Sequence, residues 1–135
     1  MVGMALLWAA IIVATLFRLN DRVSLRQDLL TPSVFTVNAG SVFSVPFNVN
    51  KPGHVLGRFQ AMGGNDNDIE AVIADADDFE NWKQGHSVRL RYQSDKITRG
   101  RIDVPLRRGR YYLAFDNRFS PLTGKTITAN ILLDQ

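Results

Sequence analysis

The sequence predicts a mainly β protein, an antiparallel eight-stranded β-sandwich over residues 33–135 preceded by one N-terminal transmembrane helix over residues 1–18. Three observations lead there. The first 17 residues, MVGMALLWAAIIVATLF, carry no charge, and Arg18 closes them. From residue 33 onward, apolar and polar residues alternate in eight short runs, separated by clusters of Gly, Pro, Asn and Asp. Turn signals at roughly 8–12-residue intervals are the mark of a sandwich. No segment after residue 33 keeps a helical period long enough for a crossover helix.

The helix comes first. At about 1.5 Å per residue, such a run covers roughly 25 Å, and a span needs about 17–25 residues. A snorkelling Arg18 lengthens it slightly. No Lys or Arg precedes the run and no small-x-small site follows it, so it reads as a retained anchor rather than a cleaved signal peptide. Residues 4–17 have no polar face, unlike a helix half-buried on a soluble core. Gly3, Ala5, Ala9, Ala10 and Ala14, with Trp8, are the positions expected to pack against other membrane helices. Residues 19–32 read as an amphipathic helical extension, because Leu19, Val23, Arg26 and Leu30 recur at helical spacing. Thr31-Pro32 ends it. Arg18, Arg22 and Arg26 follow the anchor, so the positive-inside rule points the C-terminal domain to the cytoplasm.

The eight strands are SVFTVN (33–38), SVFSVPFNV (41–49), HVLGRFQAM (54–62), IEAVIAD (69–75), HSVRLRYQ (86–93), ITRGRIDVPL (97–106), RYYLAFD (110–116) and KTITANILL (125–133). Alternation assigns their inward residues. These are Phe43, Val45, Phe47 and Val49; Val88, Leu90 and Tyr92; and Ile127, Ala129, Ile131 and Leu133. Pro46 and Pro105 place their strands at sheet edges or strand ends, since proline cannot donate to a ladder.

Chemistry is sparse. The chain of 135 residues has no cysteine, a net charge of +3 and 45% hydrophobic residues. That composition suits one folded domain without disulfides or zinc thiolates. Gly124, Lys125 and Thr126 spell the end of a phosphate-binding loop, but Phe119 stands where its first glycine belongs and a strand, not a helix, follows. No nucleotide is expected. Residues 65–80 hold seven carboxylates and no Lys or Arg. Asp66 and Asp68 are the calcium candidates there, beside the plainer reading that Asn and Asp cap their own turn. No cofactor and no resident metal are otherwise expected. His54 and His86 form neither a triad nor a metal pair, and no catalytic residue is assigned.

The basic residues are more informative. Arg89 and Arg91 share one strand face, as do Arg99 and Arg101 on the next strand. If those strands pair as a hairpin across Ser94-Asp95-Lys96, four arginines meet on one outer face. Guanidinium forks there suit an acidic protein surface or anionic lipid headgroups. The balancing acidic stretch argues against nucleic acid. Phe79 and Trp82 lie in the longest loop, either as an exposed docking patch or folded back over the end of the sandwich.

The C-terminal third, RGRYYLAFDNRFSPLTGKTITANILL, resembles the end of the GOLD (Golgi dynamics) domain. The matching positions are Gly109, Tyr111 or Tyr112, Phe115, Asn117, Ser120 and Lys125, over about 25 residues. The resemblance implies a jelly-roll-like sandwich used for protein–protein contact, on the extracytoplasmic side. That side opposes the one given by the arginines. Cargo-receptor members carry a disulfide and a C-terminal anchor, whereas this chain has no cysteine and its apolar run is N-terminal.

The function expected from these readings is non-enzymatic. A single-pass protein would dock on and stabilise a larger membrane complex, such as a respiratory, photosynthetic or transport assembly, with integral membrane subunits and the bilayer as partners. The alternative is a membrane-tethered recognition module for protein cargo, lipid headgroups or carbohydrate, assisted by calcium.

Overall fold

The predicted alternation resolves into two antiparallel sheets, whose inward residues meet in one core. The computed structural model describes residues 27–135. The predicted anchor over 1–18, its packing residues Gly3, Ala5, Trp8, Ala9, Ala10 and Ala14, and the extension as far as residue 26 lie outside the described residues. Within them, no helix is long and apolar enough to cross a membrane.

In chain order the elements are β1 (Gln27–Leu29), β2 (Val34–Val37), β3 (Val42–Val49), β4 (Gly53–Met62), β5 (Ile69–Asp75), α1 (Ala76–Lys83), β6 (Tyr92–Ile97), β7 (Arg99–Leu106), β8 (Gly109–Asp116) and β9 (Lys125–Asp134). Sheet A runs β9-β4-β7, with both β1 and β2 along the outer side of β9. Sheet B runs β3-β8-β5-β6. Pro46 lies on β3 and Pro105 on β7, each an edge strand, as the missing N–H requires.

The helical extension predicted over 19–32 does not reach residue 32, because residues 27–29 are β1. The reason lies in β9. It has 10 residues, and β2 pairs only with its first four, Lys125 to Thr128. The remaining half would leave a ladder of N–H and C=O groups unpaired, and β1 fills it at Leu132 to Asp134. Thr31-Pro32 is then a break between two strands, not the end of a helix.

The fifth predicted strand, 86–93, is also displaced. Residues 86–91 are irregular and β6 begins at Tyr92. Ser94-Asp95-Lys96, expected to be a hairpin turn, sits inside β6 as a β-bulge. Glu70 pairs with Lys96 and Val72 with Gln93, so Ser94 and Asp95 together face Ala71. Asp95 has φ +64°, and the Ser94 Oγ accepts the Ala71 N–H at 2.9 Å. Residues that favour turns also favour bulges, since both need a left-handed position and a local side-chain acceptor. β6 and β7 therefore make no hairpin. Thr98 alone separates them, and there the chain steps from sheet B to sheet A, its carbonyl accepting the Ala61 N–H at 2.8 Å.

The core joins both sheets. Phe35 stacks on Phe43 at 4.4 Å and meets Phe115 edge-on at 5.2 Å. Phe59 meets Phe115 edge-on at 5.4 Å, and Tyr111 stacks on Phe47 at 5.7 Å. Ile127, Ala129, Ile131 and Leu133 are buried along β9, as alternation predicts. Tyr92 closes one side: its Oη donates to the Arg101 carbonyl at 3.0 Å, tying β6 to β7. Burial pushes the Tyr92 phenol above its usual pKa. The fold thus favours the neutral phenol. Its contribution is complete below about pH 10 and is lost as pH rises through the raised value. Tyr92→Phe is expected to flatten the alkaline limb of the stability profile, measured as Tm against pH. At neutral pH it is expected to cost about 1 kcal/mol, the net worth of one hydrogen bond.

Candidate functional site

The outer faces of the two sheets differ. Helix α1 lies over sheet B, with Asp77 and Asp78 in its first turn and Lys83 in its last, each favourable to the helix dipole. Phe79 is 2% exposed and stacks on Tyr112 at 4.1 Å, in a second apolar cluster with Val72, Ala74 and Ala114. Trp82 is half-buried against the same cluster, with the Arg118 guanidinium 4.8 Å above its ring. Arg118 also pairs with Asp116 through Nε and Nη2, each at 3.0 Å, and its Nη1 donates to the Lys83 carbonyl at 2.6 Å, holding the end of α1 down. That pairing raises its pKa further. Phe79 and Trp82 therefore serve as a cover on sheet B. Phe79 cannot present itself to a partner.

Among the described residues, nothing covers the outer face of sheet A. β4 points Arg58 and Gln60 outward, β7 points Arg99 and Arg101, and β9 points Thr128 and Asn130. Arg58 sits directly opposite Arg101 on one side and Asn130 on the other, while Gln60 sits opposite Arg99 and Thr128. Together these six side chains line a shallow depression of about 700 Å³. Its floor depends on Gly100. A Cβ there would run into the Phe59 ring, so the Arg-Gly-Arg triplet sends two guanidiniums outward while an aromatic ring fills the layer beneath.

The predicted four-arginine face is therefore corrected. Arg99 and Arg101 share a face, as expected. Arg89 and Arg91 do not join them, because β6 and β7 belong to different sheets. Arg91 instead makes a two-pronged bond to Asp75, at 3.1 and 2.8 Å, which raises its pKa further. Arg89 lies exposed in the irregular segment before β6. The third member of the face is Arg58, which the sequence reading missed. Its outward place on β4 follows from alternation, but its pairing with Arg101 follows only from register.

Among the described residues, the ion pairs join Lys83 to Glu80, Arg91 to Asp75, Arg118 to Asp116 and Lys125 to Asp68, and the His54 ring hydrogen-bonds to Asp103 at 3.3 Å. Arg58, Arg99 and Arg101 belong to none of them. Like charges directly opposite on a ladder repel, so the fold carries an unfavourable pair that an anionic surface would relieve. Guanidiniums donate and never accept, which makes carboxylates their natural complement. Among the described residues, no Phe, Tyr or Trp side chain lies exposed on this face.

The opposite end of the sandwich from the start of β1 holds Asn117, Ser120 and Lys125 of the GOLD resemblance, and they are structural. Asn117 is fully buried. Its Nδ2 donates to the Thr123 and Asn38 carbonyls, at 2.9 and 3.2 Å, and its Oδ1 accepts from Lys125 Nζ at 3.0 Å. Ser120 Oγ donates to the Thr123 carbonyl at 3.0 Å. Lys125, 2% exposed, also donates to the backbone and side-chain oxygens of Asp68, at 2.6 and 3.1 Å. Tyr111 belongs to the core and Tyr112 to the cover. The strand expected after Gly124 is β9, and its first residue points inward.

Of the two calcium candidates, Asp68 thus already faces an ammonium group. Asp66 gives its backbone carbonyl to Thr98 Oγ1 at 3.3 Å. Among the described residues, no three His, Asp or Glu side chains gather as a metal site would require.

No protein-family model matches the sequence, and no curated protein matches it. Solved structures give remote likenesses. One is the periplasmic lysozyme inhibitor PliG, an inhibitor of g-type lysozyme from Aeromonas hydrophila, at 10% identity, covering 78% of this chain and 86% of that one, with a TM-score of 0.43. A second is a carbohydrate-binding module from Cellvibrio mixtus lichenase 5A in complex with cellotriose, at 14% identity, covering 81% and 85%, with a TM-score of 0.42. A third is a family 29 carbohydrate-binding module, at 10% identity, covering 82% and 76%, with a TM-score of 0.40.

Proposed function

We propose that this chain is a non-enzymatic, membrane-tethered accessory subunit with a GOLD-like sandwich. It docks on an acidic surface of a larger membrane complex through the open face of sheet A. The observation that carries the proposal is the trio Arg58, Arg99 and Arg101, side by side on that face and outside every ion pair among the described residues. The uncharged run over 1–17 supports the tether, and its small residues suit contact with other helices in lipid.

Docking would have two parts. The helix restricts the domain to the membrane surface, which raises its effective concentration near any membrane partner. The arginine face then selects among those partners by charge. Extraction of the native membrane in mild detergent at low ionic strength is the test. The chain is expected to leave with integral membrane subunits at fixed stoichiometry and to shed them as salt is raised, because exposed charge contacts are screened. Recovery as a lone monomer at low salt would overturn the reading.

A further inference from the structure

The end of the sandwich where β1 starts carries a second basic surface, separate from the arginine face. Gln27 pairs with Asp134, His54 pairs with Asp134 as well, and Val49 pairs with Gly109. The turns after β3 and β7 therefore share this end with the start of the described chain. The C-terminal residue is there too: the Gln135 Oε1 accepts the N–H groups of Asn50 and Lys51, at 2.8 and 3.2 Å. Tyr111 Oη donates to the Arg107 carbonyl at 2.9 Å, which fixes the second turn.

Exposed on these elements stand Lys51, Arg107, Arg108 and Arg110, none of them in an ion pair among the described residues. The last three line a notch of about 420 Å³ whose opposite wall holds Asp75 and Asp77. Asp75 is already bound by Arg91, which leaves Asp77 to offset three guanidiniums. The far end carries no comparable unpaired cluster: Asp68 there is paired with Lys125 and Arg118 with Asp116, and Leu122 is 92% exposed.

We infer that the end bearing Lys51, Arg107, Arg108 and Arg110 is a seat for anionic lipid headgroups, which lays the domain on the bilayer in one orientation. The inference rests on the tether reading. From Arg18 to Gln27 is nine residues, at most about 32 Å when fully extended. The same stretch adds Arg22 and Arg26 immediately before this end. The field of anionic lipid fades within a Debye length of about 8 Å. A seat therefore forms only if this end touches the surface, and each basic side chain favours that contact by about fivefold.

The chain has no cysteine, so a single fluorophore can be placed cleanly. The full chain carrying Asn50→Cys, near the seat, or Leu122→Cys, at the far end, is labelled and reconstituted with vesicles holding a headgroup energy acceptor. The vesicles are phosphatidylcholine alone or phosphatidylcholine with phosphatidylserine. Energy transfer from position 50 is expected to be stronger with phosphatidylserine and to lose that excess in high salt. It should also lose it when Arg107→Glu, Arg108→Glu and Arg110→Glu are combined, while the three lysine replacements preserve it. Position 122 is expected not to gain.

Flotation with the vesicles reads the tether separately. A chain that floats with both lipids but shows equal transfer in each overturns the seat and leaves the tether standing. A seat that answers only to an acidic protein gives that same result. Flotation with phosphatidylserine vesicles alone overturns the tether and supports the seat, and flotation with neither overturns both.

Discussion

Lys125→Met is expected to destabilise the domain by about 3–5 kcal/mol, the usual cost of breaking a buried ion pair from one side. Lys125 is 2% exposed, and its ammonium group holds three acceptors at once: the Asp68 carbonyl, the Asp68 carboxylate and the Asn117 amide oxygen. Methionine fills a similar length but donates nothing, so all three lose their partner. The Phe119 ring, 4.7 Å from Nζ, loses its cation as well. With a total stability of roughly 5–15 kcal/mol for a domain of ordinary size, this is a large share. Tm should fall by roughly 10–20 °C. Adding Asp68→Asn removes the stranded carboxylate but not the other two orphaned oxygens, so the double variant should recover only part of the loss. A double-mutant cycle by thermal or urea unfolding measures that coupling. A fall of less than about 1 kcal/mol for Lys125→Met would show that Lys125 is not the pin of this loop.

Lys125 also shows what could be read from the sequence and what could not. Alternation on β9 places it on the same face as Ile127 and Ile131, so its inward direction was legible. A lysine in such a position demands acceptors, but the sequence does not say which. Its partners come from the β4–β5 loop and the end of β8, and no local pattern reports that meeting. The edge strands were legible through Pro46 and Pro105, each of which names its own constraint. β1 was not legible, because Leu19, Val23, Arg26 and Leu30 fit a helical period, while the need for a strand arises in β9. Helix α1 carries sound end signals in Asp77, Asp78 and Lys83. It is only two turns long, so Ala76, Phe79 and Trp82 are all that reveals its period.

The arginine face divides along the same line. Arg99 and Arg101 were legible, because two like residues at spacing two on a strand share a side whatever the strand pairs with. The partner strand is not legible in the same way. Period-two reasoning gives a face but no neighbour, and a bulge at Ser94-Asp95 mimics a turn. Assigning a hairpin there brought in Arg89 and Arg91 and left out Arg58, which lies far away in sequence and directly opposite in space.

Replacing Arg58, Arg99 and Arg101 together with glutamate is expected to weaken docking on the native complex by at least about 100-fold, or roughly 2.7 kcal/mol. The loss should fall mainly on the association rate and should shrink as salt is raised, because charges on an exposed face steer encounter. Loss of binding alone would not distinguish a docking face from a damaged fold, so stability supplies the second half of the test. Arg58 and Arg101 face each other across β4 and β7, and neither has an anionic partner among the described residues. Arg101→Thr removes that repulsion and puts a good strand former in its place. It should raise the Tm of the isolated chain by about 1–3 °C. It should also weaken docking by about tenfold, within the ordinary range for truncating one interface side chain. A structural arginine would show the reverse, with a lower Tm and unchanged docking. Arg89→Thr, in the exposed segment before β6 and outside both basic surfaces, is the matched control and should leave docking through sheet A unchanged. If Arg101→Thr raises the Tm and binding to the complex is also unchanged, the face has no docking role. A gain in stability coupled to a loss of binding is the result that ties these three arginines to an acidic partner.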